Sequence, residues 1–271
     1  MKTDLSKKSI KSFRVWLGGS FDPVHLGHLA IISHIANRLN DYFICHPLEN
    51  TPVIISLLPT AQNPLKTHST SAHHRLAMLE LGLQALCTNP HLEVSGDFSS
   101  HQKALGKGKN YTTFQIDTTE IYQTETVFTF NTVSHFRKVY PDDSLIFVLG
   151  RDSILTFEKW YRGFELPNLC HLWVMPRVTQ NDGNNTENSI EKTVILPSQL
   201  SPFLTDNVQD LISLNKGRIY LDTYQVLSVS SSQIRATLKD NKILSEHEKS
   251  LLLPYLTPSV LDYILKNQLY Y

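Results

Sequence analysis

The sequence predicts an α/β fold: a doubly wound, mostly parallel sheet with helices on both faces. Three observations carry that expectation. Short, β-branched apolar runs alternate with segments whose apolar residues recur at helical spacing. At 271 residues, 41% hydrophobic and 18% charged, the chain has the length and composition of an ordinary globular protein with a sizeable core. There is no internal repeat and no second periodic block behind a linker, so one domain over 14–271 is expected after a tail at 1–13.

In chain order, the tail carries lysines without an apolar stretch behind them and reads as solvated, not as a signal peptide. The first strand is expected at Arg14–Leu17 and the first helix at His28–Leu39. A second strand, Val53–Leu58, precedes a helix over Ala72–Leu86 that Ser71 can cap. Leu92–Ser95 reads as a third strand. Residues 98–126 are polar, contain Gly106-Lys107-Gly108-Lys109 and alternate only weakly in their second half; they read as an insertion holding one hairpin. A helix over Thr132–Val139, capped by Asn131, leads to strands at Leu145–Leu149, Cys170–Met175 and Arg218–Leu221. Residues 178–192 are rich in Asn, Thr and Gly and read as a mobile loop. Helices at Ser232–Lys239 and Ser259–Asn267 follow, the second entered through Pro258.

Composition excludes several classes of function. Lys plus Arg and Asp plus Glu each number 25, so no electrostatic footprint for nucleic acid is expected. No apolar run approaches the roughly 20 residues of a membrane span. Cys45, Cys87 and Cys170 are scattered, without CxxC spacing, and read as buried, reduced thiols of a cytoplasmic protein. Two Asn-x-Thr triplets, at Asn110 and Asn184, read as chance without a secretion signal. The twelve histidines show no zinc spacing, so no metal held by the protein is expected.

Gly18-Gly19-Ser20-Phe21-Asp22-Pro23-Val24-His25-Leu26-Gly27-His28 holds the chemistry. A strand runs into two glycines, where a backbone without side chains can approach a ligand closely, then through a turn into a helix. A helix start presents free N–H groups and partial positive charge, which suits a polyphosphate. His25 and His28, three apart, can face one way and donate to phosphate oxygens as charge develops. A lone histidine at a helix start is more often a cap or packing residue; the conjunction of the glycines, the Asp-Pro turn and HxGH is what outweighs that.

This block resembles the signature of the HxGH nucleotidyltransferases, a branch of the superfamily that includes the class I aminoacyl-tRNA synthetases. Within it, the chain from about Arg14 to Tyr271 resembles the bacterial nicotinate-nucleotide adenylyltransferases, through several separated blocks. Pro64 and Lys66 match a family Pro-Pro-His-Lys loop in which Leu65 replaces the histidine, with His68 close by. Phe128, Thr129 and Thr132 lie in a segment resembling SYTxDT near the pyridine ring, with Val127 in the Ser place and Phe128 in the Tyr place. Gly150 and Asp152 follow a strand at its carboxyl end, where Asp152 could meet ribose hydroxyls or cap the next helix. Trp160 matches the family residue lying against the nicotinate ring, and Arg177 a basic position. Ser231, Ser232 and Arg235 lie in a block resembling ISSTxIR, which would form a second anion site.

The resemblance implies a Rossmann-like nucleotidyltransferase fold and adenylyl transfer from ATP to nicotinate mononucleotide in NAD biosynthesis. His25, His28 and Arg235 would be catalytic. ATP would lie against Gly18, Gly19, Ser20, Phe21, His25, Gly27, His28, Gly150, Asp152, Ser231, Ser232 and Arg235. The mononucleotide would lie against Lys66, Phe128, Thr129, Thr132, Trp160 and Arg177. Mg²⁺ would arrive with ATP. Three alternatives stay open: nicotinamide mononucleotide or phosphopantetheine as acceptor, a synthetase fragment, and a non-catalytic nucleotide-binding protein. The synthetase reading is disfavoured by the absence of a KMSKS-type loop and of an anticodon-binding region.

Overall fold

The computed structural model describes residues 10–45, 51–61, 70–88, 112–176, 196–239 and 246–270. Seven parallel strands form one sheet: β1 (Phe13–Gly19), β2 (Val53–Pro59), β3 (Thr112–Ile116), β4 (Ser144–Gly150), β5 (His171–Met175), β6 (Leu204–Thr205) and β7 (Ile219–Leu221). Their spatial order is β3-β2-β1-β4-β5-β7-β6. Chain progress therefore reverses direction between β1 and β4, the place where an open α/β sheet forms a cleft outside its strand ends.

The central strands are buried on both faces, and alternate residues enter two separate cores. From β1, Phe13, Val15 and Leu17 pack with α1 (Leu26–Cys45), α2 (Ala72–Thr88) and α8 (Pro258–Lys266), whereas Trp16 packs with α3 (Thr129–Val139) on the other face. The same split separates Ile146 and Val148 from Leu145, Phe147 and Leu149 in β4. Trp16 lies flat on Phe136 of α3, with ring centroids 4.3 Å apart and planes 9° from parallel. The remaining helices are α4 (Arg151–Ile154), α5 (Gln209–Ser213), α6 (Ser231–Lys239) and α7 (Glu246–Leu252), with 3-10 turns between β4 and β5 and before β6. Among the described residues no helix is long and apolar enough to cross a membrane.

Three expectations are corrected. Residues 112–116 are not half of a hairpin in an insertion: Thr112–Ile116 pairs in parallel with Val53–Leu57 as the sheet's third strand. Its polarity misled because it is an edge strand, where only Thr112 and Phe114 turn inward and Gln115 bonds the Ser56 hydroxyl. The strand expected at Leu92–Ser95, the first part of 98–126 and the loop at 178–192 lie outside the described residues. The cap of α3 is Phe128 rather than Asn131, so the helix begins at Thr129, earlier than its periodicity indicated. Cys170 is buried, but Cys87 is only partly so.

Candidate active site

At the carboxyl end of β1 the two glycines are required by the protein's own rings. A Cβ on Gly18 would stand 3.0 Å from the Phe147 ring, and one on Gly19 3.1 Å from that of Phe21. Phe21 takes a left-handed φ of 48°, uncommon for a bulky residue and costing on the order of 1–3 kcal/mol. This turn drives its fully buried ring under Gly19 and edge-on against His28, with centroids 4.8 Å apart. Phe21 thus supports the site with its ring and leaves only backbone for a ligand.

His25 and His28 are brought together as expected. Their rings stack at 3.7 Å with planes 22° apart. The His25 backbone N–H donates to Nδ1 of His28 at 3.3 Å, which makes Nε2 the protonated nitrogen of a neutral His28 ring. Burial pushes His25 down to about 4, and burial followed by the neighbouring His25 pushes His28 well below its ordinary value. Both are neutral donors at physiological pH. Nδ1 of His25 is buried with no partner, a cost that a structure rarely bears without a use for the group. Gly27 leaves the room this pair occupies: a Cβ there would meet the His25 ring and the Val229 side chain, each at 3.1 Å. The N–H of Leu26, expected to be free at the helix start, is already taken by the Tyr255 carbonyl at 2.8 Å.

The sequence-distant Ser-rich block sits directly on this turn. Ser231 Oγ donates to the Pro23 carbonyl at 2.9 Å, and Arg235 Nη1 to the Asp22 carbonyl at 2.6 Å. Arg235 Nη2 donates to Ser232 Oγ at 3.2 Å, and Ser232 is exposed. Cationic and hydroxyl groups of α6 therefore share one wall with the two histidines. Gly150 at the end of β4 has nothing within 4 Å of where its Cβ would be, and Asp152 in the following turn is exposed. Ser20 is likewise exposed.

The mononucleotide residues are gathered less completely. Thr132 is buried and its hydroxyl donates to Glu120 at 2.6 Å, which ties the α3 start to the segment after β3. Glu120 follows β3, where burial, with the nearby Asp117 adding, raises its carboxyl above the usual range. Phe128, at 41% exposure, borders a cavity of about 330 Å³ that Glu120, Asn131, Thr132 and His135 also line. Trp160 is partly buried against Phe157, at 4.9 Å. The adjacent Tyr161, which sequence reasoning passed over, is 50% exposed and only 4.9 Å from the Phe128 ring. Lys66 and Arg177 lie outside the described residues, as do Leu65 and His68.

Arg75 was also missed as a site residue. It is 1% exposed, and its Nη1 donates to the Ser20 and Thr60 carbonyls at 3.0 and 2.8 Å, joining the turns that follow β1 and β2. The signal was available: Arg75 shares the inward face of α2 with Met78, Leu79, Gly82 and Leu86, where an arginine needs a polar reason.

The cytidylyltransferase-like family matches residues 16–237. A protein of Sodalis glossinidius named probable nicotinate-nucleotide adenylyltransferase is 30% identical over 267 residues, 98% of this chain and 99% of its own. One of Idiomarina loihiensis with the same name is 29% identical over 260 residues, 95% of this chain and 99% of its own. Among solved structures, Plasmodium falciparum nicotinic acid mononucleotide adenylyltransferase complexed with NaAD shares the fold, with a TM-score of 0.57 and 20% identity over 96% of this chain and 97% of its own. With the HxGH turn and the α6 serines on one wall at the switch point, and relatives aligned over nearly their whole length, the chain belongs to the cytidylyltransferase-like nucleotidyltransferases and, among them, to the nicotinate-nucleotide adenylyltransferases.

Proposed function

We propose that this chain, acting as one catalytic domain over 14–271, transfers the adenylyl group of ATP to the phosphate of nicotinate mononucleotide. The observation that carries the reading is the contact of Arg235 and Ser231 with the Asp22-Pro23 turn, which sets a second group of anion donors beside His25 and His28. A phosphate oxygen of the acceptor attacks the α-phosphorus of ATP in line. The bond to the bridging oxygen breaks, and pyrophosphate leaves with that electron pair. The attacking phosphate is already ionised at neutral pH, so no general base is needed and catalysis is positioning plus charge stabilisation.

In this reading Nε2–H of His28, the His25 ring and the Arg235 guanidinium donate to the phosphates as negative charge grows. Gly18, Gly19, Ser20, Gly27, Gly150, Asp152, Ser231 and Ser232 form the rest of the ATP surface, with Phe21 beneath it. Phe128, Thr129, Trp160, Lys66 and Arg177 receive the mononucleotide. Thr132, which lines the cavity beside Phe128 and is held by Glu120, belongs to the same surface.

A divalent cation, taken here as Mg²⁺, fits this donor set only as a passenger on the triphosphate. Among the described residues no group of His, Cys, Asp and Glu is arranged to hold a metal. When bound, it would neutralise triphosphate charge. The test is pyrophosphate release from ATP with nicotinate mononucleotide, nicotinamide mononucleotide and phosphopantetheine in turn. The acid mononucleotide should be used best; faster turnover with either rival acceptor, or none with any, would overturn the proposal.

A further inference from the structure

Behind the histidine pair, the Asp22 carboxylate is held from two sides. Its Oδ1 accepts the Tyr270 hydroxyl at 2.6 Å, and its Oδ2 the Thr70 N–H at 3.2 Å. Tyr270 lies past α8, and Gln268 and Tyr270 both take left-handed φ values, of 52° and 74°, folding the chain back onto the turn. Two guanidiniums stand around this contact. Arg75, among whose electrostatic neighbours are Asp22 and Tyr270, bonds the Ser20 carbonyl. Arg235, whose charge reaches Tyr270, bonds the carbonyl of Asp22 itself. A carboxylate next to an arginine that must bind phosphate is a competitor for it.

We propose that Tyr270 is a positioning residue: its hydroxyl holds the Asp22 carboxylate off the Arg235 guanidinium, which keeps Arg235 available to phosphate. Burial, with the Asp22 charge adding, pushes the Tyr270 phenol far above its ordinary value, so it remains a donor at every working pH. Loss of the hydroxyl leaves the Asp22 carboxylate with the Thr70 N–H and the Arg75 charge, free to swing onto Arg235. The inference rests on Arg235 serving phosphate as in the adenylyl-transfer reading, but binding of pyrophosphate tests it without any acceptor.

Calorimetric titration of the full chain with inorganic pyrophosphate gives the answer. Tyr270→Phe should weaken binding about tenfold, the worth of one charge-assisted hydrogen bond. Tyr263→Phe, which removes the Tyr263 hydroxyl bond to His74 Nδ1 between α8 and α2, should change it less than about twofold. Adding Asp22→Asn to Tyr270→Phe should restore most of the affinity, because the competing charge is gone; a purely structural hydroxyl would give no such rescue. Asp22→Asn alone should bind at least as tightly as the wild type. Tyr270→Phe binding like the wild type, a double variant as weak as Tyr270→Phe, or weakened Asp22→Asn would each overturn the inference. Absence of turnover in a wild type that shows this binding pattern would count against the proposed reaction and not against Tyr270.

Discussion

The two ends of the sheet each bury an arginine and a histidine, and they treat them in opposite ways. At the amino end, Arg137 donates from all three nitrogens, to the carbonyls of Leu169, Tyr140, Pro141, Asp143 and Asn215, tying together the chain entering β4, β5 and β7. His171 beside it is fully buried and has both ring nitrogens occupied: Nδ1 accepts the Arg218 N–H, and Nε2 donates to the Leu214 carbonyl. At the carboxyl end, Arg75 uses Nη1 alone and leaves Nε and Nη2 buried without partners, and His25 leaves Nδ1 so. Each such group costs about 1–3 kcal/mol. Of the two arginine–histidine sets, only the second carries unmatched ring and guanidinium nitrogens, which is where stability has been given up beside a site.

The comparison breaks most sharply at His28. His28→Ala should lower kcat by about 10²–10³-fold, the usual worth of a positioned donor to developing charge. Melting temperature and KM for either substrate should stay near the wild-type values. Unchanged kcat in a folded variant would remove His28 from the transition state.

Next in size, Arg137→Met should cost about 3 kcal/mol in chemical denaturation by stranding several carbonyls, while kcat per folded molecule is unchanged. A catalytic loss as large as that of His28→Ala would mean that the two ends do not separate stability from function.

The paired histidines give a third effect. His25 and His171 are both held near 4 by burial, foremost, so each is neutral when folded and gains a proton more readily when unfolded. The unfolded state therefore binds more protons between about pH 6.5 and 4, and stability must fall as pH drops through that window. The loss should be on the order of 2 kcal/mol per ring between pH 7.5 and 5. Saturating pyrophosphate should raise the titration midpoint of His25 and leave His171 unmoved, as followed by NMR of the two rings. Equal movement of both would erase the distinction between the ends.

Legibility differed between these regions for physical reasons. The central strands, buried on both faces, and the HxGH turn could be read because periodicity and spacing within a short segment encode them. So could the partnership of the turn with Ser231 and Arg235, although only through resemblance, since no local pattern joins residues more than 200 apart. β3 was lost because an edge strand needs few apolar residues: Gln115 satisfies its side chain on Ser56. Arg75, Glu120 and Tyr270 were missed because their roles arise from partners distant in sequence, such as the Ser20 carbonyl, Thr132 and Asp22. The same holds for Gly18 and Gly19, whose need for glycine comes from Phe147 and Phe21.

Gly27 gives the smallest and most discriminating effect, because local propensity and site geometry oppose each other there. It is the second residue of α1, and alanine is favoured over glycine in a helix interior by about 1 kcal/mol, less at a first turn. On propensity alone, Gly27→Ala should stabilise the protein. The new methyl, however, would stand 3.1 Å from Cε1 and Nδ1 of His25 and 3.1 Å from the Val229 side chain, so one neighbour must give by a few tenths of an ångström. Val229 leads into the Ser230–Arg235 block, and His25 is stacked on His28, so either movement shifts a phosphate donor. The gain in propensity and the strain should nearly cancel in denaturation, leaving stability within about 1 kcal/mol of the wild type. Catalysis has no such offset: kcat should fall about tenfold, or roughly 1.4 kcal/mol, while the fold is intact. A stable variant with full activity would show that the histidine stack tolerates displacement, and that Gly27 serves only the entry of the chain into α1.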